Sequence, residues 1–231
     1  MVERQDNLGQ TTRYAYDSRG NRVFVSDANG PVSGTWAGPG TSNDHGNTAV
    51  LAYDGLNRLL SETYHLREGG TGDGTIVDQV SMDYVYDASG NLVSRTDPND
   101  NTTYRAYDPL NRNTVITYAD GTQETFEYDG ADNTVARTDP NGSVMTYTYD
   151  AVNRHVRAGV APGPAVGGTT LQTFTWDGLS RQIAATDNND PADPTDDSHV
   201  TLAYDSLSPR IGKTQDGYTA ATSHDGVGNP L

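Results

Sequence analysis

The chain has 231 residues and sets 31 acidic side chains against 15 basic ones, a formal charge of -16 that repels nucleic-acid phosphates and anionic lipid, so nucleic acid is not an expected partner. Only 33% of it is hydrophobic and Gly reaches 25, too little apolar material for a thick two-sided core, while 14 Tyr against 3 Phe and 3 Met leave mostly amphipathic rings that suit one face of a sheet. Cys is absent, which excludes disulfide and thiol chemistry, and no apolar run approaches the roughly 18 residues of a membrane span, so no membrane insertion is expected.

In chain order, Val2 to Asp6 reads as the closing strand of a hairpin, followed by a turn, DNLG. Tyr14-Ala15-Tyr16 then alternates as a strand does when one face is covered, and Asp17 opens a turn that reaches Gly20. The same series of strand, Asp turn, strand, second turn recurs down the chain. An aromatic followed by Asp opens each unit: Tyr16, Tyr53, Tyr86, Tyr107, Tyr128, Tyr149, Trp176, Tyr204 and, in degenerate form, His224. Successive spacings are 37, 33, 21, 21, 21, 27, 28 and 20, a period of about 21 with the excess in insertions.

The columns of this alignment have physical reasons. Four residues past the aromatic stand Gly20, Asn57, Gly90, Asn111, Asp132, Asn153 and Gly228, types that tolerate positive φ, with Ser180 and Ser208 as exceptions. With the leading Asp, whose carboxylate accepts the N–H two residues on, this predicts a type I turn closing into a left-handed residue. Seven past the aromatic comes Val23, Leu60, Val93, Val135, Val156, Ile183, Ile211 or Leu231, broken only by Thr114. Two before it comes Tyr14, Leu51, Tyr84, Phe126, Tyr147, Phe174 or Leu202, with Arg105 and Thr222 departing. Second turns fall at Asp6, Asp27, Asp97, Asp120, Asp139 and Asp216.

These columns predict an all-β fold: tandem β-hairpins in a curved or spiralling single-layer antiparallel sheet, about nine units and roughly eighteen short strands over residues 1–231. Cross-strand Tyr-Val and Tyr-Tyr pairs are expected to supply its contacts. Insertions near 31–48, 67–75, 159–170 and 187–199 lengthen one rim, while the Asp-x-x-Gly/Asn turns of the other never vary in length. Both ends fall inside repeats, which predicts a segment of a larger protein whose cut strand edges self-associate or fray.

Strings such as YDASGNLVSRTDPND, YDPLNRNTVITYADG and YDGADNTVARTDPNG resemble the YD repeats of the RHS family, which includes bacterial polymorphic toxins, the C component of insecticidal ABC toxin complexes, wall-associated bacterial proteins and teneurins. The resemblance covers nearly the whole chain. It implies a β-strip that spirals into a hollow shell around a toxic or cleaved C-terminal domain, so the implied partners are the rest of the parent protein and its enclosed cargo. It also implies secretion or cell-surface display as part of that parent, since no signal-like segment follows Met1. Many bacterial members end the shell in a DPxGL-type signature of aspartyl self-cleavage. Here Asp139-Pro140-Asn141-Gly142 runs into Ser143 and further repeats, and reads as an ordinary turn.

No catalytic residue and no cofactor is expected. His45, His65, His155, His199 and His224 fall in separate units without metal-ligand spacing, and no GxSxG occurs. The regular Asp residues already have a turn to close. One stretch concentrates hard oxygen donors: Asp187, Asn189, Asp190, Asp193, Asp196 and Asp197, a candidate Ca²⁺ loop whose alternative is a solvated acidic turn, since it lacks the Gly and terminal Glu of an EF-hand. The function expected is therefore structural. The rival is an extracellular module that binds glycans or a receptor through its variable rim or Tyr-rich face, with Trp36 as the aromatic to test.

Overall fold

Alternating rings and short polar residues, interrupted every ten residues or so by an Asp turn, leave no stretch long enough for a helix. The computed structural model describes residues 2–5, 11–26, 48–68, 76–188, 193, 195, 197–205 and 210–221, and among these it contains eighteen strands and no α-helix. The chain divides into two units, Met1–Arg112 with Thr117–Gly121, and Asn113–Ile116 with Thr122–Leu231.

The first unit carries β1 (Val2–Gln5), β2 (Thr11–Tyr16), β3 (Arg22–Ser26), β4 (Thr48–Tyr53), β5 (Leu59–Arg67), β6 (Ile76–Tyr86), β7 (Leu92–Thr96) and β8 (Thr102–Tyr107). Each pairs antiparallel with the next. After β9 (Asn113–Thr117), the second unit repeats the scheme with β10 (Gln123–Tyr128), β11 (Thr134–Thr138), β12 (Val144–Tyr149), β13 (His155–Ala161), β14 (Leu171–Trp176), β15 (Gln182–Asn188), β16 (Ser198–Tyr204), β17 (Arg210–Gln215) and β18 (Tyr218–Ala221). From β10 to β18 every strand again pairs antiparallel with its chain neighbour. The tandem-hairpin architecture expected from the repeat is the one observed.

Among the described residues the turn column is left-handed throughout. Gly20 (φ 87°), Asn57 (63°), Gly90 (92°), Asn111 (63°), Asp132 (65°) and Asn153 (62°) have positive φ, and so does Ser180 (59°), which the sequence columns had set apart. The turn, not the side chain, dictates the conformation, and a short hydroxyl residue tolerates it. Each hairpin's register slips by one residue at its aromatic, for instance between Ala15 and Tyr16 or between Thr148 and Tyr149, the bulge that accompanies a type I turn ending in a left-handed residue.

Little is fully buried. Among the described residues, Phe24, Ala49 and Leu51 form the apolar core of the first unit beside a buried hydrogen bond between the Thr48 hydroxyl and His65 Nδ1 (2.9 Å), and Ala158 is the buried apolar residue of the second. Cross-strand pairing meets the expectation in part. Tyr14 opposes Val25 and also Val2, and Tyr64 opposes Val80, but Tyr84 opposes Arg95, Phe126 opposes Arg137 and Leu202 opposes Lys213. A long cationic stem can lie over a ring while its head stays hydrated, which suits a face that is only half covered.

The insertion at 159–170 folds back onto a second turn. Gly163 N–H donates to Ser143 Oγ (2.9 Å), and Val160 N–H to the Thr170 carbonyl (2.7 Å). Asp139 to Ser143 is an ordinary turn: Gly142 N–H donates to the Asp139 carbonyl at 3.0 Å.

Candidate functional site: the ladder of Asp turns

In each described turn, the Asp that follows the aromatic closes the turn with both carboxylate oxygens. Asp17 Oδ1 accepts the N–H of Arg19 and of Asn21 (both 2.9 Å), and Oδ2 accepts the Asn21 side-chain amide (2.9 Å). Asp54 does the same, with Arg58 Nε (2.7 Å) in place of the amide. The pattern recurs at Asp87, Asp108, Asp129, Asp150 and Asp177. Converging donors favour the charged carboxylate. Asp54, Asp108, Asp150 and Asp177 are held below the ordinary 3.8, first by the backbone N–H of the Arg four residues on and then by its guanidinium. Asp17 and Asp87 are lowered first by the side-chain amide of Asn21 and Asn91.

The residue four past the Asp also reaches the next hairpin. Asn21 donates to Asn57 Oδ1 (2.9 Å), Asn91 to Asn111 Oδ1 (2.8 Å) and Asn133 to Asn153 Oδ1 (3.1 Å). Where the position is Arg, the acceptor is the carbonyl of the following Asp: Arg58 to Asp87 (3.1 Å), Arg154 to Asp177 (2.8 Å), Arg181 to Asp205 (3.0 Å). Arg58 and Arg181 also lie 4.8 Å from the ring centroids of Tyr86 and Tyr204, a cation–π contact with the next aromatic. The signal was present in the sequence as an alternation, Gly20-Asn21, Asn57-Arg58, Gly90-Asn91, Asn111-Arg112, Asp132-Asn133, Asn153-Arg154. Its meaning appears only once consecutive turns are adjacent in space.

A second set of bonds runs from the aromatics. Tyr53 Oη–H donates to the Arg22 carbonyl (3.1 Å), Tyr107 to Leu92 (2.9 Å), Tyr128 to Asn113 (2.7 Å), Tyr149 to Thr134 (2.9 Å), and Trp176 Nε1–H to His155 (2.8 Å). In every case the acceptor lies six residues past the previous unit's aromatic. The repeating aromatic is thus a fastener to the hairpin before it, and the repeating Asp with its partner a fastener to the hairpin after it.

Of the candidate calcium ligands, Asn189, Asp190 and Asp196 lie outside the described residues. Asp187 sits in β15 opposite Gln172, one carboxylate oxygen accepting the Thr169 hydroxyl (3.1 Å) and the other buried without a hydrogen-bond partner. Asp193 accepts the N–H and hydroxyl of its own neighbour Thr195, which lowers its pKa, the hydroxyl first, and Asp197 directly precedes β16. Among the described residues no three acids or histidines come together as a metal group. His155 stands among rings, 5.5 Å from Tyr147 and Tyr149 and 4.9 Å from Phe174, an aromatic packing role. His45, His224 and Trp36 lie outside the described residues.

Residues 86–123 and 128–157 match the RHS Repeat family model. No curated protein matches the chain. Solved structures similar to it include TcdB2-TccC3 without its hypervariable C-terminal region (16% identity, 100% of this chain and 15% of that one, TM-score 0.46). TcdB2-TccC3-Cdc42 covers 94% and 15% at 16% identity (TM-score 0.45), and the Photorhabdus luminescens Tc holotoxin pore 96% and 15% at 16% identity (TM-score 0.44). This chain therefore spans about 15% of the length of those chains. The RHS Repeat model thus matches the central units of the chain, and the same aromatic-Asp fastener is built on both sides of them.

Proposed function

We propose that this array is a length of wall: in its parent protein it forms part of a hollow β-shell that encapsulates or scaffolds a C-terminal toxin or effector domain, and is secreted or displayed with that parent. One observation carries the reading. The side chains with chemical potential, the repeating Asp, Arg and Tyr, are bonded hairpin to hairpin and held in structural work. The RHS family match supports it, as does a sheet with too little buried apolar surface to stand as isolated hairpins. Limited proteolysis of the parent protein tests it. The segment after the array resists protease in the intact parent and is cut when Tyr128→Phe, Tyr149→Phe and Asp150→Ala are combined; equal cleavage of that segment in the intact parent and on its own contradicts the reading.

A second reading, a glycan-binding adhesion module, is favoured by Tyr104. In the column three before the aromatic, where the second unit has Thr125, Thr146, Thr173 and Thr201, this Tyr is 57% exposed and borders an open groove of about 450 Å³ with Asp100, Asn101, Thr117 and Tyr118. A ring flanked by amide and carboxylate groups suits a sugar. Glycan-array binding lost on Tyr104→Ala supports this reading, and an empty array removes it. Calcium binding by the 187–197 loop is a separate proposal, which calorimetry showing no heat at millimolar calcium defeats.

A further inference from the structure

The turn between β11 and β12, in the second unit, holds a pair of residues whose chemistry the wall does not use. Asn141 is followed by Gly142, and both are exposed at the tip of the Asp139 turn. Without a Cβ, Gly leaves its amide nitrogen unshielded, and that nitrogen can attack the side-chain amide of the preceding Asn to close a cyclic imide. Asn141 Oδ1, the oxygen that takes the charge formed in such an attack, already accepts the Ser143 N–H (2.9 Å) and the Ser143 hydroxyl (2.6 Å). Donors aimed at an oxygen where negative charge develops favour the step that develops it.

Two contacts hold the pair back. Gly142 N–H donates to the Asp139 carbonyl (3.0 Å), which commits the nitrogen to the turn. The 159–170 loop of the same unit is seated on the same residues. Gly163 N–H donates to the buried Ser143 Oγ (2.9 Å), a Cβ on Gly163 would lie 2.3 Å from the Asn141 carbonyl oxygen and 3.0 Å from Gly142 C and Ser143 N, and Pro164 Cδ stands 3.8 Å from the place of a Cβ on Gly142. Packing that close leaves the Asn141–Gly142 peptide no room to rotate while the loop is down.

We propose that Asn141 is a self-modification site, a deamidation restrained by the docked 159–170 loop. The Gly142 amide gives its proton to solvent base, its nitrogen bonds to Asn141 Cγ, and Nδ2 leaves as ammonia, closing a succinimide. Water then opens the ring at either carbonyl and leaves Asp or isoaspartate. One water enters and one ammonia leaves, with no change of oxidation state. The product acts back on the loop. Ser143 N–H is already shared with Asp139 Oδ1 (3.0 Å), so a carboxylate at 141 sets two like charges on one donor. Isoaspartate instead lengthens the main chain beneath Gly163. Either product loosens the surface on which the loop sits. The wall reading does not require this step, which is a slow, one-way change in one loop of that wall.

Ageing the full chain in mildly alkaline buffer tests it, with peptide mapping that separates Asn141 from Asn29, the other Asn-Gly of the sequence, and with hydrogen exchange read at Gly163. The wild-type chain is expected to convert at Asn141 more slowly than a free peptide of residues 137–146. Gly163→Ala, which lifts the loop and leaves the circular dichroism of the sheet unchanged, is expected to convert a few-fold to about tenfold faster, the worth of one hydrogen bond. Asn141→Asp, which carries the product from the start, is expected to exchange its Gly163 amide faster than the wild type. Asn141 left intact in both the wild type and Gly163→Ala after the peptide has converted overturns the proposal. So do equal rates in chain and peptide, a Gly163→Ala rate no faster than wild type, or unchanged Gly163 protection in Asn141→Asp. None of these bears on protection of the segment after the array, which tests the wall reading.

Discussion

At the residue scale, two glycines separate two kinds of constraint. Gly90 has φ 92°, and a Cβ there would meet nothing closer than Arg58 Nη1 at 3.9 Å, so space is free and only the backbone conformation objects. Gly90→Val is expected to cost about 1–2 kcal/mol from the left-handed conformation, more if the branched Cβ adds strain, whereas Gly90→Asn restores the residue type found at Asn57 and Asn111 and costs much less. Gly163 is the reverse. Its φ is ordinary, but a Cβ would lie 2.3 Å from the Asn141 carbonyl oxygen and 3.0 Å from two more backbone atoms. Gly163→Ala therefore has to push the 159–170 loop off its turn, at about 1–3 kcal/mol, the usual range for overpacking. Urea denaturation of the three variants checks both figures.

The turn carboxylates set a pH dependence with a defined sign. Asp17, Asp54, Asp87, Asp97, Asp108, Asp150 and Asp177 all have folded pKa values below the ordinary 3.8. A depressed folded pKa contributes stability that is complete above the unfolded value and is lost as pH falls through the folded one. Acidification also relieves the repulsion of a strongly negative chain. The denaturation midpoint is thus expected to hold or rise slightly down to about pH 5 and to fall below about pH 4, the ordinary carboxylate range. A midpoint still rising at pH 2.5 contradicts the role given to these turns.

At the element scale, the fold was legible because each local choice agrees with the global one. Asp at the turn start, Gly or Asn in the left-handed place and a ring-x-ring strand specify a hairpin within some fifteen residues, and Tyr149–Val156 or Tyr86–Val93 shows it without tertiary help. The fastening between hairpins was not legible to the same degree. Asn133 and Asn153 are 20 residues apart, and nothing in either one's neighbourhood says that one amide will donate to the other. Arg105 shows the same limit. It occupies the ring column of its unit, and its Nη1 is buried without a hydrogen-bond partner; we have no physical account of that choice. The calcium candidates were legible only as composition, because oxygen donors close in sequence converge only if the loop makes them.

At the scale of the whole molecule, stability in a repeat array is a sum of hairpin terms and nearest-neighbour terms, so its outermost strands are held from one side. β1 and β18 are exposed along their length, β1 pairing with β2 and β18 with β17. Their amides are expected to exchange fastest with deuterium, and those of β11 to β14, flanked on both sides, slowest. Uniform protection from β1 to β18 contradicts this.

The central claim is that the aromatic and the Asp are fasteners between hairpins. Hydrogen exchange of Tyr149→Phe and Asp150→Ala, read strand by strand against the wild type, tests it most directly. Tyr149→Phe removes only the bond to the Thr134 carbonyl, worth about 0.5–1.5 kcal/mol. It is expected to loosen β11 and β12, while Asp150→Ala loosens β12 to β15 through the lost hold on Arg154 and its contact with Asp177, both leaving β2 to β5 unchanged. Protection unchanged next to the substitution, or lost evenly over the whole chain, would contradict the account.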